Sequence, residues 1–294
     1  MIRELFNKLT GEPQPAAQQP QRVVRAAEAA APAGKNRVGW VSPDYTISRQ
    51  VKLDPALVLS NRCVAYQGYS AEMEQYRVLR TRILHRTGNG SGKMVMITSS
   101  TPGEGKSLTS INLALTFAKD YNHTALLVDC DLKRQSIHKL LGYASDSGLA
   151  EHLVHGRPLS DLIVCPGVEK LTVISGGKTV GASSELLGSP GMRNLVAEMR
   201  DRYPDRYVFL DTPPVLAGAD AMALAPLVDH ILFVVQAGRT QLPDIQKALH
   251  LLPKEKILGL VFNRQPAGQI IPYYYGYLQE KETDTSGERH KRAR

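Results

Sequence analysis

Four stretches of this 294-residue chain carry side chains whose types and spacing could do chemistry. The first is Ser100-Thr101-Pro102-Gly103-Glu104-Gly105-Lys106-Ser107-Leu108. Gly103 and Gly105 let the backbone curl until its N–H groups point at one spot, and Lys-Ser follows at once. Such a loop cradles a triphosphate: residues 101–108 line the cofactor, Lys106 spans its β- and γ-phosphates, and the Ser107 hydroxyl ligates Mg²⁺. The strict pattern opens with Gly where this chain has Ser100, so the loop is a variant. The second and third stretches are Asp129-Cys130-Asp131-Leu132-Lys133-Arg134 and Asp211-Thr212-Pro213-Pro214. A Mg-triphosphate needs metal-binding carboxylates and one base for the attacking hydroxyl or water. Asp211, after an apolar run, reads as the Walker B aspartate. Asp129 and Asp131 split the remaining roles, one on the metal and one near the attacking oxygen. The fourth stretch is Pro272-Tyr273-Tyr274-Tyr275-Gly276-Tyr277, past the last apolar run. Core packing explains tyrosines there poorly; a phenol on a flexible segment can attack a γ-phosphate, and an aromatic patch covering a sheet edge is the other reading.

These groups must be positioned by a scaffold, and its pattern is legible. Short β-rich runs lie at 94–98, 124–129, 171–174, 207–211, 230–235 and 257–262, with helical stretches at 106–119, 189–202 and 241–252. Apolar strands without alternation, separated by helices, predict a mostly parallel sheet covered on both faces. The fold class is therefore α/β of the P-loop NTPase type. Ligands of such sheets collect beyond the carboxyl ends of the strands, where the loop and the three aspartates all fall. Ahead of the sheet a helix is expected over 70–85, with Met73, Tyr76, Leu79 and Ile83 on its apolar face. Glu74, Arg77 and Arg80 share another stripe of it, either as an intrahelical ion pair or as a contact surface.

The remaining sequence bounds the setting. Residues 1–36 read as a short amphipathic segment and a disordered Pro-, Ala- and Gln-rich linker, 37–69 as an extended arm, 70–270 as the nucleotide-binding domain and 271–294 as a tail. The formal net charge of +8 is concentrated toward the ends and reads as solvated tails, so no nucleic-acid partner is expected. Cys63, Cys130 and Cys165 form no paired framework, which fits a reducing compartment, and Cys130 reads as a packing residue. No window is apolar enough to span a membrane, and Arg3, Glu4 and Lys8 interrupt the start as a signal peptide. A cytoplasmic protein is expected, with any membrane association borrowed from a partner or a surface helix.

Together these signals resemble the bacterial tyrosine kinases, or BY-kinases, which control capsule and exopolysaccharide synthesis. Ser99 with the loop through Ser107 is similar to that family's Walker A, and residues 126–142 to its second A′ motif, where Lys133 and Gln135 stand in place of the usual Arg and Pro. Residues 183–192 also match a family segment, and Glu74, Arg77 and Arg80 match its EX2RX2R ring-contact motif. The resemblance implies an ATP- and Mg²⁺-dependent autokinase with Asp129 as base and Asp131 and Asp211 on the metal. It further implies autophosphorylation at Tyr273, Tyr274, Tyr275 and Tyr277 within a ring-shaped homo-oligomer. A membrane polysaccharide co-polymerase or adaptor would be the activator, and a cognate tyrosine phosphatase the counterpart. Two alternatives stand beside it: a MinD/ParA-like ATPase switch, whose KGGxGK loop this chain does not have, and a non-catalytic ATP-binding scaffold of an export complex.

Overall fold

The computed structural model describes residues 48–68, 70–88, 93–202 and 205–265. The segments 1–36 and 271–294, with Tyr273, Tyr274, Tyr275 and Tyr277, lie outside the described residues.

An eight-stranded sheet forms the centre, in the order β1-β4-β5-β3-β6-β2-β7-β8. These strands are β1 (Arg49–Gln50), β2 (Met94–Ser99), β3 (Thr124–Asp129), β4 (Ile163–Cys165), β5 (Leu171–Ile174), β6 (Arg206–Asp211), β7 (His230–Gln236) and β8 (Ile257–Asn263). Every neighbouring pair is parallel except β4 against β5. The expected strands are thus present, and β1 and β4 are additions. Each has too few residues to give a periodic signal, and β1 exists only because its pairing with Val164 and Cys165 supplies the ladder. β2, β3 and β6 are buried along their whole length, which is why they read as unbroken apolar runs.

Two cores flank the sheet. One side packs α3 (Lys106–Ala118) and α2 (Ala71–Thr87), with Phe117, Ile111 and Leu115 over Phe209 and Tyr207. The other packs α4 (Pro190–Asp201) and α5 (Asp220–Leu224), with Met192, Leu195 and Leu224 over Met96, Leu210 and Phe233. α2 starts at its cap, the Ser70 hydroxyl accepting from Met73 N, and buries Met73 and Ile83.

The arm departs from the sequence expectation. Residues Pro55–Ser60 form a helix, α1, rather than an extended run. Asp54 caps it through Ala56 N at 3.0 Å, Pro55 occupies the first turn where its missing N–H costs nothing, and Val58 is buried. Leu57 and Leu59 are exposed. Downstream, the Asn112 side chain of α3 accepts from Ala65 N and donates to Arg62 O, fastening this segment to the helix that follows the phosphate loop.

Candidate active site

Strand order decides where the chemistry gathers. β3, β6 and β2 are adjacent at the centre of the sheet, and Asp129, Asp211 and the phosphate loop follow their carboxyl ends. Asp129 and Asp211 are direct register partners, and Ile97 faces Asp211 from the other side. Parallel neighbours lie about 4.8 Å apart, so the three stretches converge although 111 positions separate Ser100 from Asp211 in sequence.

The loop has the shape a phosphate cradle requires. Gly103 and Gly105 take φ of 86° and 94°. At Gly105 a Cβ would also stand 2.0 Å from Asn263 Nδ2, so both backbone and space demand glycine. α3 begins at Lys106 with no side-chain cap, so its first-turn N–H groups face the loop with the positive end of the helix dipole. Lys106 is buried and Ser107 half-buried beside it.

The carboxylates are held differently. Asp129 is fully buried; its Oδ2 accepts from Ser136 N and Ile137 N at 3.1 and 3.2 Å, and its Oδ1 from Asp131 N at 3.2 Å. Burial and the neighbouring Asp211 and Asp131 carboxylates push its carboxyl up to about 8, while the Ile137 and Ser136 amides pull the other way. Asp211 accepts from Ser110 Oγ at 3.0 Å through Oδ1, whereas its Oδ2 is buried with no hydrogen-bond partner. Burial pushes its carboxyl up to about 6, restrained first by the Lys106 ammonium and then by the Ser107 and Ser110 hydroxyls. Asp131 is buried and accepts from Arg134 N at 2.9 Å.

An orphaned buried carboxylate oxygen costs stability unless something cationic satisfies it. Its surroundings are hard oxygen donors, the class that suits Mg²⁺, beside uncapped amides and a buried lysine that suit phosphate. The residues present therefore fit a Mg-triphosphate. Cys130 lies between the two aspartates, but burial and their charges hold its thiol well above its usual range, as befits a packing residue.

Other expected residues fall elsewhere. Glu74 and Arg77 form an ion pair on α2 at 3.1 Å, both half-buried. Arg80 turns inward, donating to Thr116 O at 2.8 Å with Asp120 at 3.8 Å. The stripe therefore couples α2 to the end of α3 as well as presenting Glu74 and Arg77 to the surface. The structure adds Ser110, Asp220 and Asn263 to the site, and gives Lys133 a partner. Ser110 is one helical turn past Lys106, a spacing from which it was recoverable. Lys133 reaches Asp220 at 2.9 Å, and Asp220 is buried against the Ser183 hydroxyl, tying the A′ loop to the 183–187 helix. No local pattern announced that link, or the packing of Asn263 onto Gly105.

Comparison with known proteins supplies the class. The family model described as AAA domain matches residues 92–256, more than half of the chain. The chain is 35% identical over 210 residues to tyrosine-protein kinase YwqD of Bacillus subtilis, covering 70% of this chain and 87% of that one. The kinase domain of Escherichia coli tyrosine kinase ETK superposes with a TM-score of 0.60 at 30% identity, covering 66% of this chain and 78% of that one. Succinoglycan biosynthesis transport protein ExoP of Rhizobium meliloti is 30% identical over 221 residues, 72% of this chain but only 27% of its own length. The fold and site define a P-loop nucleotide-binding protein. More particularly, the chain belongs to the bacterial tyrosine kinase (BY-kinase) family, and its enzyme class is protein-tyrosine kinase.

Proposed function

We propose that this chain transfers the γ-phosphoryl group of ATP to Tyr273, Tyr274, Tyr275 and Tyr277 of its own tail, in trans within a ring, and so regulates exopolysaccharide synthesis or export. The observation that carries the reading is the adjacency of the phosphate loop, Asp129 and Asp211 on three central strands. Lys106 and the first-turn amides of α3 hold the β- and γ-phosphates. Ser107, Asp131 and Asp211 hold Mg²⁺, which when bound offsets the charge of the triphosphate. Asp129, oriented by three backbone N–H groups, accepts the phenolic proton as the tyrosine oxygen bonds to the γ-phosphorus. The bond from that phosphorus to the β–γ bridging oxygen breaks, and ADP leaves. The raised proton affinity of Asp129 matches that task. Fixed geometry and preorganised charge supply most of the acceleration.

Glu74, Arg77 and Arg80 are the proposed subunit contact: the partly exposed Glu74–Arg77 pair faces the neighbour, and Arg80 braces it from within by its bond to Thr116 O. Successive phosphates on the tail add about −1.5 to −2 charges each, which repels it from an acidic site and loosens the ring. A membrane adaptor as activator and a cognate phosphatase complete the cycle. Among the described residues no helix is long and apolar enough to cross a membrane. The polysaccharide setting is supported by the likeness to ExoP, whose longer chain carries more than the matched region.

The test incubates purified chain with Mg-ATP and maps phosphate by mass spectrometry, with Lys106→Met and a Tyr-to-Phe version of 273–277 as controls. Phosphate on those tyrosines is the expected result. Vigorous ATP hydrolysis with unmodified tyrosines would replace this reading with the ATPase switch. Identical sedimentation of phosphorylated and unphosphorylated protein would remove ring release.

A further inference from the structure

Glu104 places a carboxylate inside the phosphate cradle, where an unfastened negative charge would repel the ligand the loop exists to hold. Its side chain is almost wholly buried, at 2% exposure, and its position is specified on every side. Oε2 accepts from Thr101 N at 2.8 Å. Oε1 accepts from the Thr240 hydroxyl, a residue 136 positions away in the turn after β7. The backbone carbonyl of Glu104 accepts from Asn263 Nδ2 at 2.8 Å. Thr240 itself has no freedom: its Oγ1 accepts from Gln236 N at 3.1 Å, so its single proton is committed to Glu104. The loop is thereby tied to the ends of β7 and β8, the two strands beyond its own, and the carboxylate is held by these two donors.

We infer that the Glu104 carboxylate and the Thr240 hydroxyl are positioning residues for the phosphate loop, holding its amides open to the nucleotide and its one carboxylate fastened by Thr101 and Thr240. The inference rests on the nucleotide-binding reading above and deepens it. Without the Thr240 hydroxyl, Oε1 loses a charge-assisted bond inside a buried site. The side chain then relaxes toward solvent or toward the phosphates, and either movement releases the Thr101 amide and the curl it closes. Asn263 keeps its bond to the backbone, so the loop loosens rather than unfolds.

The experiment is calorimetric titration of Mg-ADP into the full chain, a ligand that binds the cradle without turnover. Thr240→Val, which keeps the shape and removes the donor, is expected to weaken binding about tenfold, the lower range for one hydrogen bond to a charged group. Thr240→Ser, which keeps the donor, restores affinity to within about twofold of the parent, far less than that bond is worth. In the phosphorylation assay Thr240→Val raises KM for ATP more than it lowers kcat, because the reacting groups around Asp129 are untouched. Thr240→Ala reads the same bond if the valine variant folds poorly. A valine variant that binds Mg-ADP as tightly as the parent, or a serine variant as weak as valine, overturns the inference. Failure of the parent itself to bind Mg-ADP is a different result, and removes the nucleotide reading on which the inference stands.

Discussion

The two ends of β3 carry aspartates of opposite character. Asp120, just before the strand, sits among its own counter-charges: His123 at 2.7 Å, Arg80 at 3.8 Å and Asn122 N at 3.0 Å. Burial pushes its carboxyl up, but the Asn122 amide, His123 and Arg80 together hold it below the ordinary range. Asp129, at the other end, is pushed up by burial and by two more carboxylates. The neighbouring strands repeat the contrast. At the start of β7, Asp229 accepts from Met94 N at 3.0 Å and pairs with Arg200 at 2.9 Å. At the end of β6, Asp211 leaves one buried oxygen unmatched. One end of the sheet satisfies its charges internally and contributes stability. The other gathers like charges and leaves one buried oxygen unpaired, the arrangement that the proposed metal nucleotide would complete.

Breaking the acidic end should therefore cost function, and breaking the paired end should cost stability. The largest effect is expected from Lys106→Met and Asp129→Asn. Each should lower tail phosphorylation by about 10²–10⁴-fold, read by quantitative mass spectrometry, the range for loss of a preorganised charge or a general base. Asp211→Asn should separate the two properties, abolishing phosphorylation while raising the melting temperature of metal-free, nucleotide-free protein. Its folded carboxyl is raised to about 6, so the parent's proton-linked stability is present below the ordinary carboxylate range near 3.8 and lost as pH rises through 6. The gap between variant and parent should widen between those values and go on widening toward pH 8, because losing the Asp211 charge also lowers the raised Asp129 carboxyl, at about 2–4 °C per kcal/mol. A gap that narrows with rising pH would refute the contrast. Asp229→Ala should do the reverse, costing about 1–3 kcal/mol in denaturant unfolding by stranding Met94 N and leaving Arg200 only Leu227 O, with kcat intact. Glu198→Ala removes an exposed pair with Arg202 at 2.8 Å and sharpens the scale, with an expected loss of only about 0.3–0.5 kcal/mol.

Much of this site was legible in one dimension, for a physical reason. The loop from Ser100 to Leu108 folds by local rules, glycine torsions and a helix start, so its residues announce themselves. Asp129, Asp131 and Asp211 were legible because buried parallel strands are unbroken apolar runs, and a carboxylate just past such a run stands at the ligand-binding edge. The Pro55–Ser60 helix was missed although Asp54-Pro55 is a start signal; six residues are too few for periodicity to outweigh an apolar cluster. β4 and β1 have no intrinsic strand signal and exist through their pairing.

The order of the strands was decided by tertiary structure alone. Sequence placed the three chemical stretches at strand ends, but only the β3-β6-β2 adjacency brings Asp129 and Asp211 into register beside the loop. The turning of Arg80 into its own protomer, the Lys133–Asp220–Ser183 link and the Thr240–Glu104 bond are of the same kind. Each joins residues that are tens to more than a hundred positions apart or chooses between faces of one helix. No short-range propensity encodes such a choice, because its free energy comes from burying and satisfying polar groups that meet only after the sheet has formed.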